Sequence, residues 1–446
     1  MENHQMNPQR RSFLKRTAII SGASVLSGHL LTQSQAAHAQ TLSQAVRVVI
    51  AGSGLGGLAV ATRLRKQLPN AKITVIDGKQ EHNYQPGYTL VATGIWSADK
   101  VSDRNERLMP QGVEWIREPI AEFAPDANKV TTASGQTLEY DYLVVATGVR
   151  LGYDKLEGMD VNAIGQNGLA SVYHSPVAAA NTWQAMDAFR QKGGRAVMTL
   201  AKTPMKCAGA PLKMTFMVSD RLRESGTSQD ATIDFYTPIQ SIFSVKVVND
   251  HVLARWEKLP TPVVTHFEQE LVGVDIGARQ AHFKDSGGNI RKESYDFLHV
   301  VPPMYAPDSV KNSPLVIAEG QPNAGWLEVD KGTLQHKRYP NIFGIGDING
   351  TARGKTAATV KKSVPIVVHN LLQTIQGKAA DQLFDGYTSC PLLTREGSAL
   401  LIEFDYDGTL TPSLPLIEPL QDSYLAWLLK YALLKPAYMA VLKGRV

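Results

Sequence analysis

The sequence is poor in cysteine, and this scarcity limits the chemistry that its side chains can support. Cys207 and Cys390 are the only cysteines among the 446 residues. Two sulfur atoms permit at most one internal disulfide and exclude a four-cysteine zinc or iron–sulfur site. No CxxCH haem-attachment pattern is present either. We therefore expect no metal centre.

The sequence also lacks a strong charge of either sign. The chain has 46 Lys and Arg against 41 Asp and Glu, a net charge of +5. Part of this excess lies in the N-terminal segment, and the remainder is too small to indicate nucleic-acid binding. With 43% hydrophobic and 20% charged residues the composition is that of a globular protein, and the length favours two or three domains.

The N-terminal residues carry three ordered features of an export signal. The segment 9–15 contains a twin arginine, a weakly apolar stretch follows at 17–31, and a small-x-small site lies at 37–39. We predict that residues 1–39 are a twin-arginine signal, which exports folded cargo, and that the mature protein is periplasmic. The alternative is an amphipathic first helix of the folded domain.

A glycine-rich turn follows the first β-branched run. Residues 46–51 have the character of a short strand, 52–57 form a GxGxxG pattern, and 58–68 have apolar residues at helical spacing. This order of strand, tight turn and helix is the context that a dinucleotide-binding motif needs.

The glycines and a later carboxylate have separate expected roles. Gly52 permits the turn, Gly54 lets a pyrophosphate approach the helix N-terminus, and Gly57 lets the helix pack closely on the strand. Asp77 ends the next predicted strand, where its carboxylate can accept hydrogen bonds from ribose hydroxyls. These residues predict a nucleotide site.

Two later segments narrow the identity of that nucleotide. The segment ending at Thr147-Gly148 resembles the strand and turn of FAD-dependent disulfide-reductase-like enzymes. The segment ending at Gly346-Asp347 resembles their second FAD motif, in which the aspartate meets the ribityl chain. Three motifs in this order favour FAD over NAD.

A second glycine fingerprint is missing where a pyridine-nucleotide domain would carry one. The predicted strand 195–200 continues into 201–211, which contains no GxGxxG pattern. The backbone donors for a second pyrophosphate are therefore not supplied. We expect that NAD(P)H is not the electron source, which argues against a type II NADH dehydrogenase or a ferredoxin reductase.

Several longer segments are distinctive. They are Tyr84–Pro86 with Thr89–Val91, Lys206–Pro211, Leu298–Val300 with Pro302–Met304, Thr333–His336, Lys355–Ala358 and Asp385–Leu392. With these segments the chain, from about Val46 to its C-terminus, resembles the sulfide:quinone oxidoreductases of the type that includes the mitochondrial enzyme. It is also similar to the flavoprotein subunit of flavocytochrome c sulfide dehydrogenase.

The resemblance implies an α/β fold with two Rossmann-like dinucleotide-binding domains. Residues 46–154 and 300–376 would form the FAD domain, and 155–299 a second domain without an NAD fingerprint. Residues 377–446 would form a C-terminal, membrane-facing unit. The implied activity is oxidation of sulfide with FAD and delivery of two electrons to a membrane quinone, with a c-type cytochrome as the alternative acceptor.

The resemblance also implies roles for particular side chains. Cys207 would lie beside the flavin and handle sulfide sulfur, with Lys206 or another nearby cation keeping it ionised. The alternative is an inert buried thiol. Because no cysteine lies near the loop of Gln85 and Pro86, which we also expect at the cofactor, a covalent cysteinyl-flavin link is not predicted.

Lys355 and Thr356 match a family segment near the pyrimidine edge of the flavin. A positive charge and a helix N-terminus there would stabilise the anionic reduced flavin. The alternative is a surface lysine at the start of a helix.

Directly after the second FAD motif, the chain does not follow the pattern that we expect of the family. A second redox cysteine would follow Asp347, but this position holds Ile348, and the TSCP context of Cys390 matches a separate segment. Three hypotheses follow. The protein oxidises sulfide with Cys207 alone and releases the persulfide to an external thiol, sulfite or second sulfide. It acts on another small thiol or donor, or it is a non-catalytic FAD-binding sensor or partner subunit.

The C-terminal residues are apolar with a few cations. Residues 424–435 contain two lysines and several aromatic side chains, Pro436 interrupts the stretch, and 437–442 are apolar again. We predict peripheral contact with the lipid headgroups and access to quinone, and no stretch of about 20 residues after residue 40 that could span a bilayer. The alternative is a pair of helices packed on the core or in a homodimer interface.

Overall fold

The computed structural model describes residues 46–445. A first parallel sheet of five strands has the spatial order Ile342–Gly344, Tyr142–Val145, Arg47–Ala51, Lys72–Ile76 and Glu114–Ile116. Its central strands are apolar on both faces, as a covered parallel sheet requires. The strand Ile342–Gly344 returns from far along the chain to complete one edge.

Both faces of the first sheet are covered. The helices Leu55–Gln67 and Ala357–Ile375 pack on one face. On the other lies a three-stranded antiparallel sheet of Ile120–Ala124, Lys129–Thr132 and Thr137–Glu139. This layering places the N-terminus of the helix Leu55–Gln67 at the carboxyl edge of the sheet, where nucleotides bind in such folds.

A second parallel sheet repeats the arrangement. Its five strands have the order Leu169–Ala170, Phe297–His299, Gly194–Thr199, Ala231–Tyr236 and Val263–His266. Its other elements are the helices Pro176–Lys192, Ala210–Ser225 and Lys246–Trp256 and the antiparallel strands Gln269–Asp275, Gln280–Asp285 and Ile290–Ser294. The predicted α/β class with two Rossmann-like sheets is confirmed.

Shorter elements lie between and after the strands of the two sheets. The paired strands are Glu81–Asn83 with Ser102–Arg104, Arg150–Leu151 with Met304–Tyr305, and Thr388–Arg395 with Ser398–Phe404; the short helices are Tyr88–Val91, Asn105–Leu108 and Asp308–Lys311. The hairpin formed by Thr388–Arg395 and Ser398–Phe404 packs against the helix Ala210–Ser225. It thereby brings a distant part of the chain to the start of that helix.

The C-terminal tail, Tyr424–Leu442, is helical throughout. It consists of Tyr424–Leu428, a π-helical turn at Leu429–Leu433, and Leu434–Leu442. By length and composition it could cross a membrane, so the expectation that no such stretch follows residue 40 is wrong. We expected Pro436 to break the run, but the widened π-turn before it lets the helix continue.

The tail has two different faces. On one face, Tyr424–Leu428 packs on the hairpin of Thr388–Arg395 and Ser398–Phe404, and Leu434–Leu442 packs on the helix Leu55–Gln67. The other face exposes apolar side chains. The exposed side chains are Tyr424, Leu425, Leu428, Tyr431 and Leu433. The tail therefore combines packing on the core with a face that suits peripheral membrane contact. The predicted export signal, residues 1–39, lies outside the described residues.

Candidate active site

The glycine turn has the geometry that a close approach of backbone and ligand needs. Gly52 has a φ of +113°, and a Cβ there would lie 2.4 Å from the carbonyl oxygen of Ala146. A Cβ on Gly57 would lie 1.9 Å from the carbonyl oxygen of Gly52. At Gly54, the N-cap of the helix Leu55–Gln67, no atom of the described residues comes within 4 Å of that position. The turn is thus closed towards the protein and open at the helix N-terminus.

Asp77 lies against this turn. Its Oδ2 accepts hydrogen bonds from the backbone nitrogen of Ser53 at 2.8 Å and from Ser53 Oγ at 2.9 Å. Its Oδ1 accepts from the backbone nitrogen of Lys79 at 2.9 Å. Asp77 therefore fixes the shape of the turn, and Ser53 is a partner that the sequence pattern did not single out.

Two further turns meet at the same sheet edge. Thr147 and Gly148 follow the strand Tyr142–Val145, and Gly346 and Asp347 follow Ile342–Gly344. Thr147 Oγ1 is buried without a hydrogen-bond partner among residues 46–445, and Gly148 (φ +68°) has no described atom near its Cβ position. An unpaired hydroxyl, an open glycine and an open helix N-terminus along one edge fit a bound dinucleotide.

Lys355 is a buried brace for the turn at Asp347. Its Nζ donates to the carbonyl oxygens of Asp347 at 2.7 Å and Asn349 at 2.8 Å, and it lies 3.8 Å from the ring centroid of Trp326. Burial lowers the pKa of Lys355 to about 8 and raises the pKa of Asp347. The surface-lysine alternative is therefore wrong. Thr356 Oγ1 accepts from the backbone nitrogen of Thr359 and caps the helix Ala357–Ile375.

Cys207 lies in the loop between the strand Gly194–Thr199 and the helix Ala210–Ser225, where a pyridine-nucleotide enzyme would carry its second glycine turn. Its φ is +48°, in the left-handed region that side chains other than glycine rarely adopt.

Three hydrogen bonds hold Cys207 in this conformation. Its nitrogen donates to the carbonyl oxygen of Lys355 at 2.9 Å. Its carbonyl oxygen accepts from the backbone nitrogen of Ala210 at 2.8 Å and from the hydroxyl of Tyr173 at 3.1 Å. The bond to Lys355 ties the cysteine to the turn at the carboxyl edge of the first sheet.

Cys390 lies beside Cys207, although its TSCP sequence context gave no indication of this placement. Cys390 is 5% exposed on the strand Thr388–Arg395, and its thiol is close enough to Cys207 for each thiol to shift the pKa of the other. Gly209 makes room for it, because a Cβ there would lie 2.3 Å from Cys390 Sγ. Ile348, where we expected a second cysteine, is instead fully buried in the core of the first sheet.

Two buried lysines face the cysteine pair. Lys213, 3% exposed, places Nζ 3.6 Å from Cys207 Sγ. Lys430, 2% exposed, comes from the π-helical turn of the tail and donates to the carbonyl oxygen of Pro86. Burial lowers the pKa of Lys430 to about 7, and the neighbouring charge of Lys213 adds to this effect.

The pKa values of the two thiols are shifted in opposite directions. The pKa of Cys207 lies well below its ordinary value, because Cys390 donates to its sulfur and because Lys213 and Lys430 are close. The pKa of Cys390 is raised by its hydrogen bond to Cys207 and by burial. The arrangement is a thiolate next to a thiol, which is the form of a dithiol that is ready for exchange.

Lys206 contacts the loop at Gln85. Its Nζ donates to Gln85 Oε1 at 2.6 Å, and burial lowers the pKa of Lys206 to about 8. The nearby cations that lower the pKa of Cys207 are Lys213 and Lys430. Because Gln85 contacts Lys206 and Pro86 contacts Lys430, this loop closes one side of the site.

Comparison with known proteins identifies the family. The model of the pyridine nucleotide-disulphide oxidoreductase family matches residues 46–196. The mitochondrial sulfide:quinone oxidoreductase of Dictyostelium discoideum is 36% identical over 91% of this chain and 87% of its own length. The mouse enzyme of the same name is 34% identical over 82% of this chain and 80% of its own length. The chain belongs to the sulfide:quinone oxidoreductase family.

A solved structure agrees with this assignment at the level of the fold. The sulfide:quinone oxidoreductase of Aquifex aeolicus superposes with a TM-score of 0.72, at 23% identity over 90% of this chain and 92% of that chain. Members of the family are FAD-binding flavoproteins, so the predicted cofactor is confirmed.

Sequence reasoning missed three residues of this family member's site: Cys390 as a partner of Cys207, Lys213 and Lys430. One signal could have found the lysines. Each is a single cation inside an apolar helical run, Pro211–Met217 for one and Leu425–Leu434 for the other. A lysine in such a run is rarely buried unless a negative charge or a hydrogen-bond acceptor meets it.

Proposed function

We propose that the chain oxidises sulfide at the Cys207–Cys390 pair and passes the electrons through FAD to a membrane quinone. The observation that carries the proposal is the placement of Cys390 against Gly209, next to Cys207 in the loop, with Lys213 Nζ 3.6 Å from Cys207 Sγ. A pair of cysteines supplies both the disulfide that sulfide attacks and the thiolate that leaves. The hypothesis of a single working cysteine is no longer needed.

The pKa difference between the cysteines gives the reaction a direction. In the oxidised protein the two sulfurs are joined as a disulfide. Hydrosulfide attacks the sulfur of Cys390, a new S–S bond forms there, the old bond breaks, and Cys207 leaves as a thiolate. Cys207 is the better leaving group because its pKa is the lower, and Lys213 stabilises its charge.

Two electrons and one sulfur atom then have to leave the two cysteines. Sulfide has lost an electron pair, which remains on the thiolate of Cys207, and its sulfur is held on Cys390 as a persulfide. FAD supplies an acceptor for an electron pair when it is bound. A thiol or a second sulfide attacks the outer sulfur of the persulfide and releases Cys390 as a thiolate. Loss of the electron pair from the two cysteines then restores the disulfide between them.

Gly52, Gly54 and Gly57, together with Asp77, are the residues that we assign to the adenosine and pyrophosphate part of FAD. Thr147, Gly148, Gly346 and Asp347 are assigned to its flavin and ribityl part, where Lys355 holds the turn at Asp347 and Thr356 caps the helix Ala357–Ile375. The support is the open carboxyl edge and the buried, unpaired hydroxyl of Thr147.

The test of sulfide oxidation is anaerobic mixing of the holoenzyme with sulfide while the flavin absorbance is followed. We expect bleaching in the native protein and loss of rapid bleaching in Cys207→Ser and Cys390→Ser. Ser389→Ala is the matched control, because neighbouring side chains of a strand point to opposite faces. Bleaching that survives both cysteine changes contradicts the proposal, and NADH should not replace sulfide.

The electron acceptor is tested separately. The exposed apolar face of the tail is the support for contact with a membrane that holds quinone. A short-chain quinone should reoxidise the sulfide-reduced holoenzyme within the turnover time. Reoxidation by a c-type cytochrome but not by quinone would assign the acceptor to the soluble alternative.

We further propose export by the twin-arginine route, on the strength of the ordered signal features in residues 1–39. The enzymes of Dictyostelium discoideum and mouse named above are mitochondrial, so the proposal of export rests on residues 1–39 and not on those relatives. A double change of Arg10 and Arg11 to Lys should retain the protein in the cytoplasm of a bacterial host. Unchanged periplasmic recovery would refute the route.

A further inference from the structure

A chain of hydrogen bonds runs from the C-terminal tail to the glycine turn. The hydroxyl of Tyr438 lies 2.7 Å from His82 Nε2, and His82 Nδ1 lies 3.0 Å from Asn105 Oδ1. Asn105 Nδ2 donates to Ser53 Oγ at 2.7 Å, and Ser53 Oγ donates to Asp77 Oδ2 at 2.9 Å. Four contacts thus connect the tail with the carboxylate that shapes the turn.

The donor and the acceptor of each of these four hydrogen bonds follow from the partners of Asn105. Asn105 Nδ2 also donates to the carbonyl oxygen of Lys79 at 2.8 Å, so its Oδ1 is the acceptor that faces His82. His82 therefore carries its proton on Nδ1, and its bare Nε2 accepts from Tyr438. Each group donates towards Asp77, and hydrogen bonds aligned in one direction polarise and strengthen one another.

Burial makes these contacts obligatory. Ser53 and Asn105 are each 1% exposed, and His82 and Tyr438 are also buried. Burial lowers the pKa of His82, which keeps the ring neutral as the chain requires. Removal of one member leaves a buried polar partner unsatisfied, and this penalty exceeds the net value of the bond itself.

The end of the tail is attached to the same nucleotide-binding element by a second route. Three side chains of the helix Leu55–Gln67 donate to carbonyl oxygens of the chain end: Thr62 to Leu442 at 2.8 Å, Arg63 to Val441 at 3.1 Å, and Lys66 to Lys443 at 3.0 Å. The tail therefore contacts both the glycine turn and the helix whose N-terminus the turn precedes.

We infer that the tail is a structural part of the FAD site, and that its docking and FAD binding are coupled through Tyr438, His82, Asn105 and Ser53. The inference rests on the proposed assignment of the glycine turn to FAD. Because coupling between two binding equilibria is reciprocal, FAD stabilises the docked tail by the same factor by which the tail tightens FAD binding. Tyr438 is thus a positioning residue for a site that it does not touch.

The test compares Tyr438→Phe with Tyr424→Phe, which removes the hydroxyl of an exposed tail tyrosine that has no place in the hydrogen-bond chain. One readout is FAD release from the diluted holoenzyme, followed by flavin fluorescence. The other is trypsin cleavage after Lys430 and Lys443 with and without excess FAD. Tyr438→Phe should weaken FAD binding by about 5- to 10-fold, the effect of one buried hydrogen bond, and reduce the protection of the tail by FAD.

A variant at the other end of this series of hydrogen bonds keeps the test decisive if Tyr438→Phe folds poorly. Ser53→Ala breaks the link to Asp77 far from the tail, yet it should expose the tail to trypsin in the presence of FAD. Unchanged FAD release and unchanged tail protection in both variants would overturn the coupling. An equal loss of thermal stability with and without FAD, at constant FAD affinity, would also overturn it.

Failure of the inference can be separated from failure of the site assignment. Gly54→Ala places a methyl group at the open helix N-terminus and should weaken FAD binding if the turn holds the pyrophosphate. If Gly54→Ala weakens binding but Tyr438→Phe does not, the coupling alone is refuted. If Gly54→Ala has no effect, the assignment of the turn is refuted, and the inference with it.

Discussion

Replacement of Lys213 by methionine removes the charge nearest to the reactive sulfur while keeping an unbranched side chain of similar length. Lys213 Nζ lies 3.6 Å from Cys207 Sγ, and Lys213 is buried whereas Cys207 is partly exposed. We expect the pKa of Cys207 to rise, because the thiolate loses an attractive charge. The thiolate would then be lost at a higher pH as the solution is acidified.

The size of the shift follows from the distance. Two unit charges 3.6 Å apart interact by about 4.6 kcal/mol at an effective dielectric constant of about 20. At about 1.4 kcal/mol per pKa unit this corresponds to roughly 3 units. Cys207 is partly exposed, so solvent screens the pair, and Lys430 remains in place. We therefore expect an upward shift of the pKa of Cys207 in the variant that is smaller than this figure.

The assay is the rate of alkylation by iodoacetamide as a function of pH, under anaerobic and reducing conditions. The Cys390→Ser background leaves Cys207 as the single thiol, so the inflection of the rate reports its pKa directly. Lys202→Met in the same loop is the matched control, since Lys202 is exposed. Coincident inflections for Lys213→Met and Lys202→Met would refute the electrostatic argument.

Three further outcomes are expected. The pKa of Lys430 is about 7 in the folded protein and about 10.5 in the unfolded chain. The free energy of unfolding should therefore rise with pH between these two values. Lys430→Met should lack this part of the rise in denaturant titrations. Gly57→Ala should destabilise the apoprotein by about 1–3 kcal/mol through overpacking. Gly54→Ala should leave the melting temperature of the apoprotein unchanged and weaken only FAD binding. Equal melting temperatures for both variants would contradict this difference. Lys355→Met leaves two carbonyl oxygens without their donor and should lower the melting temperature and FAD retention together, and a change in only one would argue against its bracing role.

The parts of the site that could be predicted from sequence are those fixed by short-range geometry. The glycines at 52, 54 and 57 and the later Asp77 belong to one strand–turn–helix–strand unit, so their spacing predicts their placement. Likewise the absence of a second glycine fingerprint corresponds to a turn that carries Cys207 instead. Local patterns of this kind depend on a few dozen residues and need no knowledge of tertiary packing.

The remaining parts depend on contacts between distant segments. Cys390 reaches Cys207 only because the hairpin Thr388–Phe404 folds over the helix Ala210–Ser225, and no local pattern encodes that packing. Ile348 misled the prediction because adjacency to Asp347 in sequence implies nearness to the flavin, while its side chain points into the core. The tail lysine at position 430 is placed by a π-helical turn that composition does not reveal.

The left-handed backbone of Cys207 has a consequence for the evolution of this protein. A residue other than glycine in that region costs on the order of 1–3 kcal/mol, so glycine at this position would give a more stable and inactive protein. Selection for thermal stability alone would therefore favour replacement of the cysteine, and selection for turnover would retain it. Position 207 is a point at which the two pressures oppose each other, and a library screened first for heat resistance and then for activity should be depleted of cysteine there after the first round.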